Sequence, residues 1–263
     1  VTLVALAGRD DAGRRTLAAF PPRVDRRAIV RPAGYRTPVK TRILAGGVHS
    51  AKQQVVRVDR FTRDAVGDRA REAWMRAAGR ALKGADAVLI SDYGSGLITP
   101  EVVDILVAPL RRQGRLRVPV LVDSRYDLLQ YRGLTACTPN ESEVEQALGA
   151  TIGDEPRALE RAGRAILRRT RMQAVLVTRG SRGMALFAPH TPTLQVPIYG
   201  SDEIADVTGA GDTVMATLTL ALAGGASMAD AARLANYAGG LVVMKRGTAT
   251  VSARELAHAV ASD

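Results

Sequence analysis

The chain of 263 residues has a single cysteine, Cys137. One thiol excludes an internal disulfide and suits a reducing cytoplasm. Aromatic residues make up only 4% of the chain, and no Cys/His spacing matches a zinc site. Both absences argue against nucleic-acid modules, which stack bases on aromatic rings or hold a helix with zinc. No apolar run reaches the roughly 18 residues of a membrane span, so no membrane partner is expected. The opening "VTLVALAGRDDAGRR" lacks a basic leader and is not read as a signal peptide. There is no internal repeat and no low-complexity tract.

Lysine is also scarce, with 4 Lys against 33 Arg and a formal net charge of +11. Such a balance fits a nucleic-acid surface. It equally fits a protein that handles phosphorylated small molecules and spreads Arg over solvated helix faces. Arg157, Arg161, Arg164 and Arg168 recur at helical spacing and read as one polar face. With so few aromatics, no nucleic-acid partner is expected.

Hydrophobic residues make up 46% of the chain, enough to bury a core in one large domain or two small ones. Val1 to Ala7 read as a buried strand running straight into a helix, so the chain is expected to have lost a segment upstream. Residues 37–44 and 53–60 alternate as two strands, with a loop over 45–52. Strand and helix then take turns: strand 86–92, helix 99–113, strand 117–124, a short strand near 136–138, helix 141–149, helix 155–171 and strand 173–180. This order points to an α/β fold, a mainly parallel sheet with helices on both faces. Ligands in such sheets sit beyond the carboxyl ends of the strands. Polar clusters fall at several of those ends: Ser91-Asp92-Tyr93-Gly94, Asp123-Ser124-Arg125, Thr138-Pro139-Asn140 and Thr178-Arg179-Gly180.

The densest signal is "DVTGAGDTVMATLTLALAGG", Asp206 to Gly225. Gly209, Ala210 and Gly211 let backbone N–H groups approach a ligand at the start of a helix, where unpaired donors and the helix dipole favour an anion. Asp212 at the same end has two readings. As a general base it would take the proton of a hydroxyl attacking a phosphoryl group, while the N–H donors hold the developing charge. Otherwise it merely complements the dipole and the glycines form an ordinary turn.

D-x-T-G-A-G-D before a small-residue helix resembles the signature of the PfkB-type, ribokinase-like carbohydrate kinases. "LISDYGSGLITPEVV", "VLVDSRYDLLQYRGLTACTPNESEVE", "AVLVTRGSRGMALF" and "ANYAGGLVVMKRGTATVS" follow the same family order. Within that family they are most similar to the D-glycero-β-D-manno-heptose 7-phosphate kinase domain of bifunctional ADP-heptose synthesis proteins. The resemblance implies one ribokinase-like kinase domain over 1–263, N-terminally truncated, with a small β lid within about 36–60. It implies ATP and Mg²⁺ as cofactors, a phosphorylated sugar as acceptor, a cytoplasmic location and a homodimer built through the lid strands.

Carried over by motif, the resemblance makes Asp212 the base and Gly209, Ala210 and Gly211 the anion hole. Asn140-Glu141-Ser142-Glu143 matches the N-x-x-E motif that works on magnesium and the ATP phosphates through water. The same residues also spell a capping box. Thr178, Gly180, Thr208, Asn236 and Gly247 fall where relatives contact nucleotide. Asn236 reads equally as a buried amide satisfied by backbone, and Gly180 with Gly183 as a hairpin turn. Asp206 matches a residue that helps hold a monovalent cation, potassium, in some relatives. Lys40, Arg42, Arg57 and Asp59 on the lid, with Asp92 and Arg125, are the sugar-side candidates; Arg grips phosphate bidentately. The lid residues read equally as a solvated strand face, and Asp92 as a turn cap.

Three departures stand out. Ser95 replaces the Lys of D-Y-G-K-G, and Asp123-Ser124-Arg125 replaces D-P-K. Relatives also begin with several dozen residues that carry a sugar-binding Asp and a Gly-Gly-x-x-x-Asn segment, which nothing here matches. An inactive nucleotide-binding relative and another sugar or nucleoside kinase therefore remain alternatives. The nucleotidylyl-transferase half is unmatched too, so no ADP-heptose formation is expected from this chain alone. Ser227 with Asp230 reads as a helix cap, Cys137 as a core residue, and His49, His190 and His258 as surface or loop residues.

Overall fold

Segments that read as strand or helix form those elements through most of the described residues, which are 1–46, 53–60, 66–112, 115–116, 118–200 and 206–263. The computed structural model gathers them into two units, Val1–Ala85 with Gly94–Leu106, and Asp86–Tyr93 with Val107–Asp263. The loop over 45–52 and His49 lie largely or wholly outside the described residues.

In the first unit, β1 (Ala5–Leu6) pairs in parallel with β2 (Ile29–Val30). The expected strand over Val1–Ala7 shrinks to these two residues, and Val1 is 86% exposed. The pairing is interrupted: upstream, Thr2 makes a lone parallel bridge with Asp25, and the Leu3 N–H bonds the Asp25 carbonyl at 2.9 Å. Asp10 caps α1 (Asp11–Ala19), accepting the Gly13 N–H at 3.0 Å. Its carboxylate also accepts the Thr37 N–H at 2.9 Å and the Thr37 hydroxyl at 2.7 Å, and these bonds hold Asp10 below the usual carboxylate range. Thr37 lies just before β3 (Val39–Ala45), which pairs antiparallel with β4 (Gln53–Arg60). The two strands expected for the lid are thus present. Trp74, Ala77 and Ala78 form the buried stripe of α2 (Asp68–Ala81), at helical spacing. The next helix, α3 (Pro100–Val107), ends well short of the expected residue 113. Pro109 stops it, since its ring and missing N–H cannot continue the ladder. A 3₁₀ turn, Ala108–Leu110, takes over.

The second unit is built on a six-stranded sheet. Its strands are β5 (Val88–Asp92), β8 (Val120–Ser124), β9 (Ala136–Cys137), β10 (Ala174–Thr178), β11 (Met184–Phe187) and β12 (Leu194–Val196), in the spatial order β12-β11-β10-β9-β8-β5. A separate pair, β6 (Arg111–Arg112) and β7 (Arg115–Leu116), precedes β8. Neighbours from β5 to β10 run parallel, while β11 and β12 return antiparallel. Val120, Leu121, Val122, Val175, Leu176 and Val177 are wholly buried. Strands covered on both faces read as continuous apolar runs for this reason.

One face carries α6 (Ala210–Ala223) and α7 (Met228–Val243), whose Val214, Met215, Leu218, Ala231 and Ala235 share a core with Leu121, Leu176 and Leu186. The other carries α4 (Glu141–Leu148) and α5 (Pro156–Thr170). A last helix, α8 (Ala253–Ala261), packs on α7. The polar face expected on α5 holds for Arg157, Arg161 and Arg168, but not for Arg164. Arg164 turns inward over the Phe187 ring, bonds the Ala188 and Thr191 carbonyls at 2.6 Å each, and pairs with Glu160. The guanidinium satisfies two loop carbonyls, while its stem packs on an aromatic face. The β10–β11 connection is the hairpin turn seen in the sequence. Gly183 at its end has φ +74°, and a Cβ there would lie 2.1 Å from the Val196 carbonyl oxygen.

Candidate active site at the strand ends

The parallel strands place their carboxyl ends side by side. Asp92 ends β5 opposite Ser124 of β8, and Asn140 forms a parallel bridge with Thr178. Around them lie the first turns of α4 and α6.

Asn140 caps α4 and closes a full capping box. Its side chain accepts the Glu143 N–H at 2.9 Å, and Glu143 accepts the Asn140 N–H at 3.0 Å. The cap therefore fixes the orientation of Glu143. Glu141 is held differently. Arg179 reaches one oxygen at 3.0 Å, and Arg182 pairs with the other and with Asp154, locking α4 to the β10–β11 turn. Ser142 is exposed beside them. Gly180 starts that turn at φ +57°, one residue beyond Arg179.

Gly209 caps α6 at φ +82°, a left-handed conformation that glycine adopts without strain. It offers no side-chain cap. Ala210 N–H bonds the Val207 carbonyl at 3.2 Å and Thr213 N–H the Gly209 carbonyl at 2.9 Å. Among the described residues, the N–H groups of Gly211 and Asp212 have no acceptor. A Cβ on Gly211 would meet nothing within 4 Å, so the approach to these donors is open. Asp212 itself is exposed, in the first turn.

Asp206 staples two loops. One oxygen accepts the Thr208 N–H at 2.9 Å and the other the Gly247 N–H at 3.1 Å. Thr208 and Gly247 are thus joined to the glycine turn through one carboxylate. Asn236 is buried and donates to the Pro197 carbonyl at 2.8 Å, the backbone-satisfied reading. Ser227 caps α7 through the Asp230 N–H. Cys137 is wholly buried, and burial pushes its thiol up, out of nucleophilic range.

Asp92 is only 4% exposed, and one oxygen accepts the Ser124 hydroxyl at 3.0 Å and the Tyr131 hydroxyl at 2.8 Å. It ties three chain segments together beneath the surface. Arg125 is exposed over the Tyr126 ring, and its N–H bonds the Asp92 carbonyl.

Two groups escaped the sequence reading. Tyr93 donates its hydroxyl to Asp212 Oδ1 at 2.7 Å. Asp123 stands among Glu143, Asp212 and Asp92; burial first, then these three negative charges, push its carboxyl from 3.8 up to about 6. Asp123 was visible as part of a strand-end cluster, but resemblance drew attention to the adjacent Arg125. No spacing rule reports where the Tyr93 ring points.

In the first unit, Lys40 sits opposite Asp59 and Arg42 opposite Arg57. Directly opposed residues share a face, as do residues two apart, so all four lie on one face of the ribbon. Arg57 bonds Asp59 at 2.9 Å. The opposite face carries Ile43, Val56 and Val58, all exposed. The lid candidates and Asp212 thus belong to different units, each internally assembled. No described helix is long and apolar enough to cross a membrane.

The pattern described as pfkB family carbohydrate kinase matches residues 1–255. The chain is 39% identical over 262 residues to a bifunctional protein HldE of Trichlorobacter lovleyi, covering 99% of this chain and 51% of that protein. It spans about half the length of such relatives. Among solved structures, it is similar to phosphofructokinase-2 from Escherichia coli in complex with potassium, with a TM-score of 0.77 and 18% identity over 99% of this chain and 81% of that one. A ribokinase of Arabidopsis thaliana complexed with ribose and ATP gives a TM-score of 0.74 at 21% identity, over 98% and 81%. These two show a shared ribokinase-like fold.

Proposed function

The chain belongs to the pfkB family of carbohydrate kinases, and from that membership we propose that it transfers the γ-phosphoryl group of ATP to the C1 hydroxyl of D-glycero-β-D-manno-heptose 7-phosphate. The product is the 1,7-bisphosphate. One observation carries the reading: an exposed carboxylate and two N–H donors without an acceptor among the described residues share the first turn of α6. Asp212 takes the hydroxyl proton as that oxygen bonds to γ-phosphorus and the bond to the β-phosphate oxygen breaks. The Gly209–Gly211 turn and the α6 dipole hold the charge on the moving phosphoryl oxygens.

The ATP side is assigned to Asn140, Glu141, Ser142, Glu143, Thr178, Gly180, Thr208 and Gly247, with Asn236 supporting the wall. The donor chemistry fits a hard divalent cation, because the crowding that holds Asp123 near 6 is relieved by positive charge. Magnesium would be held by Glu143 through water beside Asn140, and supplies charge neutralisation of the ATP phosphates. Asp206 is the carboxylate that would serve a monovalent cation, as suits a fold neighbour solved with potassium. On the sugar side, Arg42 and Arg57 face each other across the ribbon. Arg57 already pairs with Asp59, and Arg42 adds a second guanidinium to the same face, which suits a sugar phosphate. The apolar ribbon face of Ile43, Val56 and Val58 suits a homodimer. The lone thiol suits a cytoplasmic enzyme.

The test is acceptor-dependent ADP release, with ³¹P NMR of the product. Release with heptose 7-phosphate and a new anomeric phosphate signal are expected. ATP binding by calorimetry without such release would favour a nucleotide-binding relative instead. Ser95 and Arg125 favour one second reading, a different phosphorylated sugar. A panel of acceptors ranked by kcat/KM separates the two.

A further inference from the structure

A general base at a helix N-terminus faces a conflict. The partial positive charge of the first turn draws its carboxylate back toward the N–H donors that the phosphoryl group needs. In this structure the Asp212 carboxylate is held by something else, the Tyr93 hydroxyl at 2.7 Å. We infer that Tyr93 is a positioning residue of the transfer step, holding Oδ1 of Asp212 away from the α6 amides and leaving Oδ2 to the acceptor hydroxyl. The inference rests on Asp212 as the base proposed above.

Three features make Tyr93 fit for this role. First, it stands on a rigid mount. It follows Asp92, which is in register with Ser124 and is clamped by the Ser124 and Tyr131 hydroxyls. Groups that orient a reacting side chain work only when their own geometry is locked. Second, its hydroxyl already points at Asp212 Oδ1, as the 2.7 Å bond shows. Third, it stays protonated. Burial, then the Asp212 carboxylate, push the phenol up to about 12. Asp123 on β8 adds to the push on the phenol, and Asp123 in turn feels Glu143 on α4 and Asp92 on β5.

The role acts through Asp212, so it is tested by coupling. Tyr93→Phe keeps the ring and removes only the hydroxyl. Loss of one hydrogen bond to a charged group predicts a fall in kcat of about 10- to 100-fold. KM for ATP and Tm should stay unchanged, and the acid limb of the kcat profile should move to higher pH. In an Asp212→Asn background the same change should have no further effect on residual turnover. Equal losses in both backgrounds, or a Tyr93→Phe enzyme as fast as the parent, overturn the inference while leaving the kinase reading intact. A faster Tyr93→Phe enzyme also overturns it, since the phenol would then be occupying the acceptor's place. A readout free of turnover is the ¹³C-tyrosine NMR titration, with Tyr93 assigned by its loss in Tyr93→Phe. Asp212→Asn should lower its midpoint; an unmoved midpoint overturns the inference. A parent chain without acceptor-dependent turnover sinks the kinase reading, and this inference with it.

Discussion

Two charged clusters in this protein are built in opposite ways. At the strand ends of the second unit, Asp123, Glu143 and Asp212 stand on a mount of buried groups, with Asp92 clamped beneath and Val120, Leu121 and Val122 of β8 wholly buried behind it. On the ribbon of the first unit, Lys40, Arg42, Arg57 and Asp59 stand on two strands with both faces toward solvent. A two-stranded ribbon is marginal by itself. The first cluster is pre-arranged by the fold, as proton transfer and charge stabilisation require. The second is a set of charges whose order a bound anion would complete.

Substitutions can break or sharpen this contrast. The largest effect belongs to Asp212→Asn, which should lower turnover by about 10²- to 10⁴-fold with ATP affinity by calorimetry largely kept. Retained turnover would remove Asp212 from the chemistry. Next comes the core behind it. Leu176→Ala should cost about 2–5 kcal/mol in denaturant unfolding, whereas Val56→Ser on the ribbon should stay within about 0.5 kcal/mol. Equal costs would erase the distinction between mount and ribbon.

Arg57→Ala should raise KM for the sugar phosphate about 10-fold or more and leave KM for ATP and Tm alone. A change confined to the ATP side would move the ribbon out of sugar recognition. The smallest effect concerns Asp123. Its carboxyl rises from 3.8 to about 6 on folding, so the folded chain holds that proton more tightly than the unfolded one. Stability therefore falls as pH climbs from about 4 to about 6 and does not recover above it. Asp123→Asn, in magnesium-free buffer, should raise Tm by a few degrees at pH 8 and hardly at all at pH 4. A larger gain at pH 4 would contradict the crowding.

Local rules reached far here. The apolar strands β8 and β10, the Asn140 and Ser227 caps and the two lid strands are all legible from period and capping chemistry, which act over a few residues. The misses share a cause. The strand over Val1–Ala7 is interrupted because its partner segment pairs at Asp25 and again only at Ile29–Val30. Arg164 was read as solvated because helical spacing does not say that loop carbonyls at 188 and 191 need a donor. Asp92 reads from the sequence as a sugar-side candidate or a turn cap, and neither reading contains the Ser124 and Tyr131 hydroxyls that its carboxylate accepts.

By itself, the sequence determined the alternation of elements, the left-handed glycine before α6 and the carboxylate three residues into that turn, since these depend on neighbours along the chain. Only the tertiary structure decided what that carboxylate meets. Tyr93 and Asp212 are 119 positions apart, and it is the packing of α6 on β5 and β8 that brings a phenol to 2.7 Å of it.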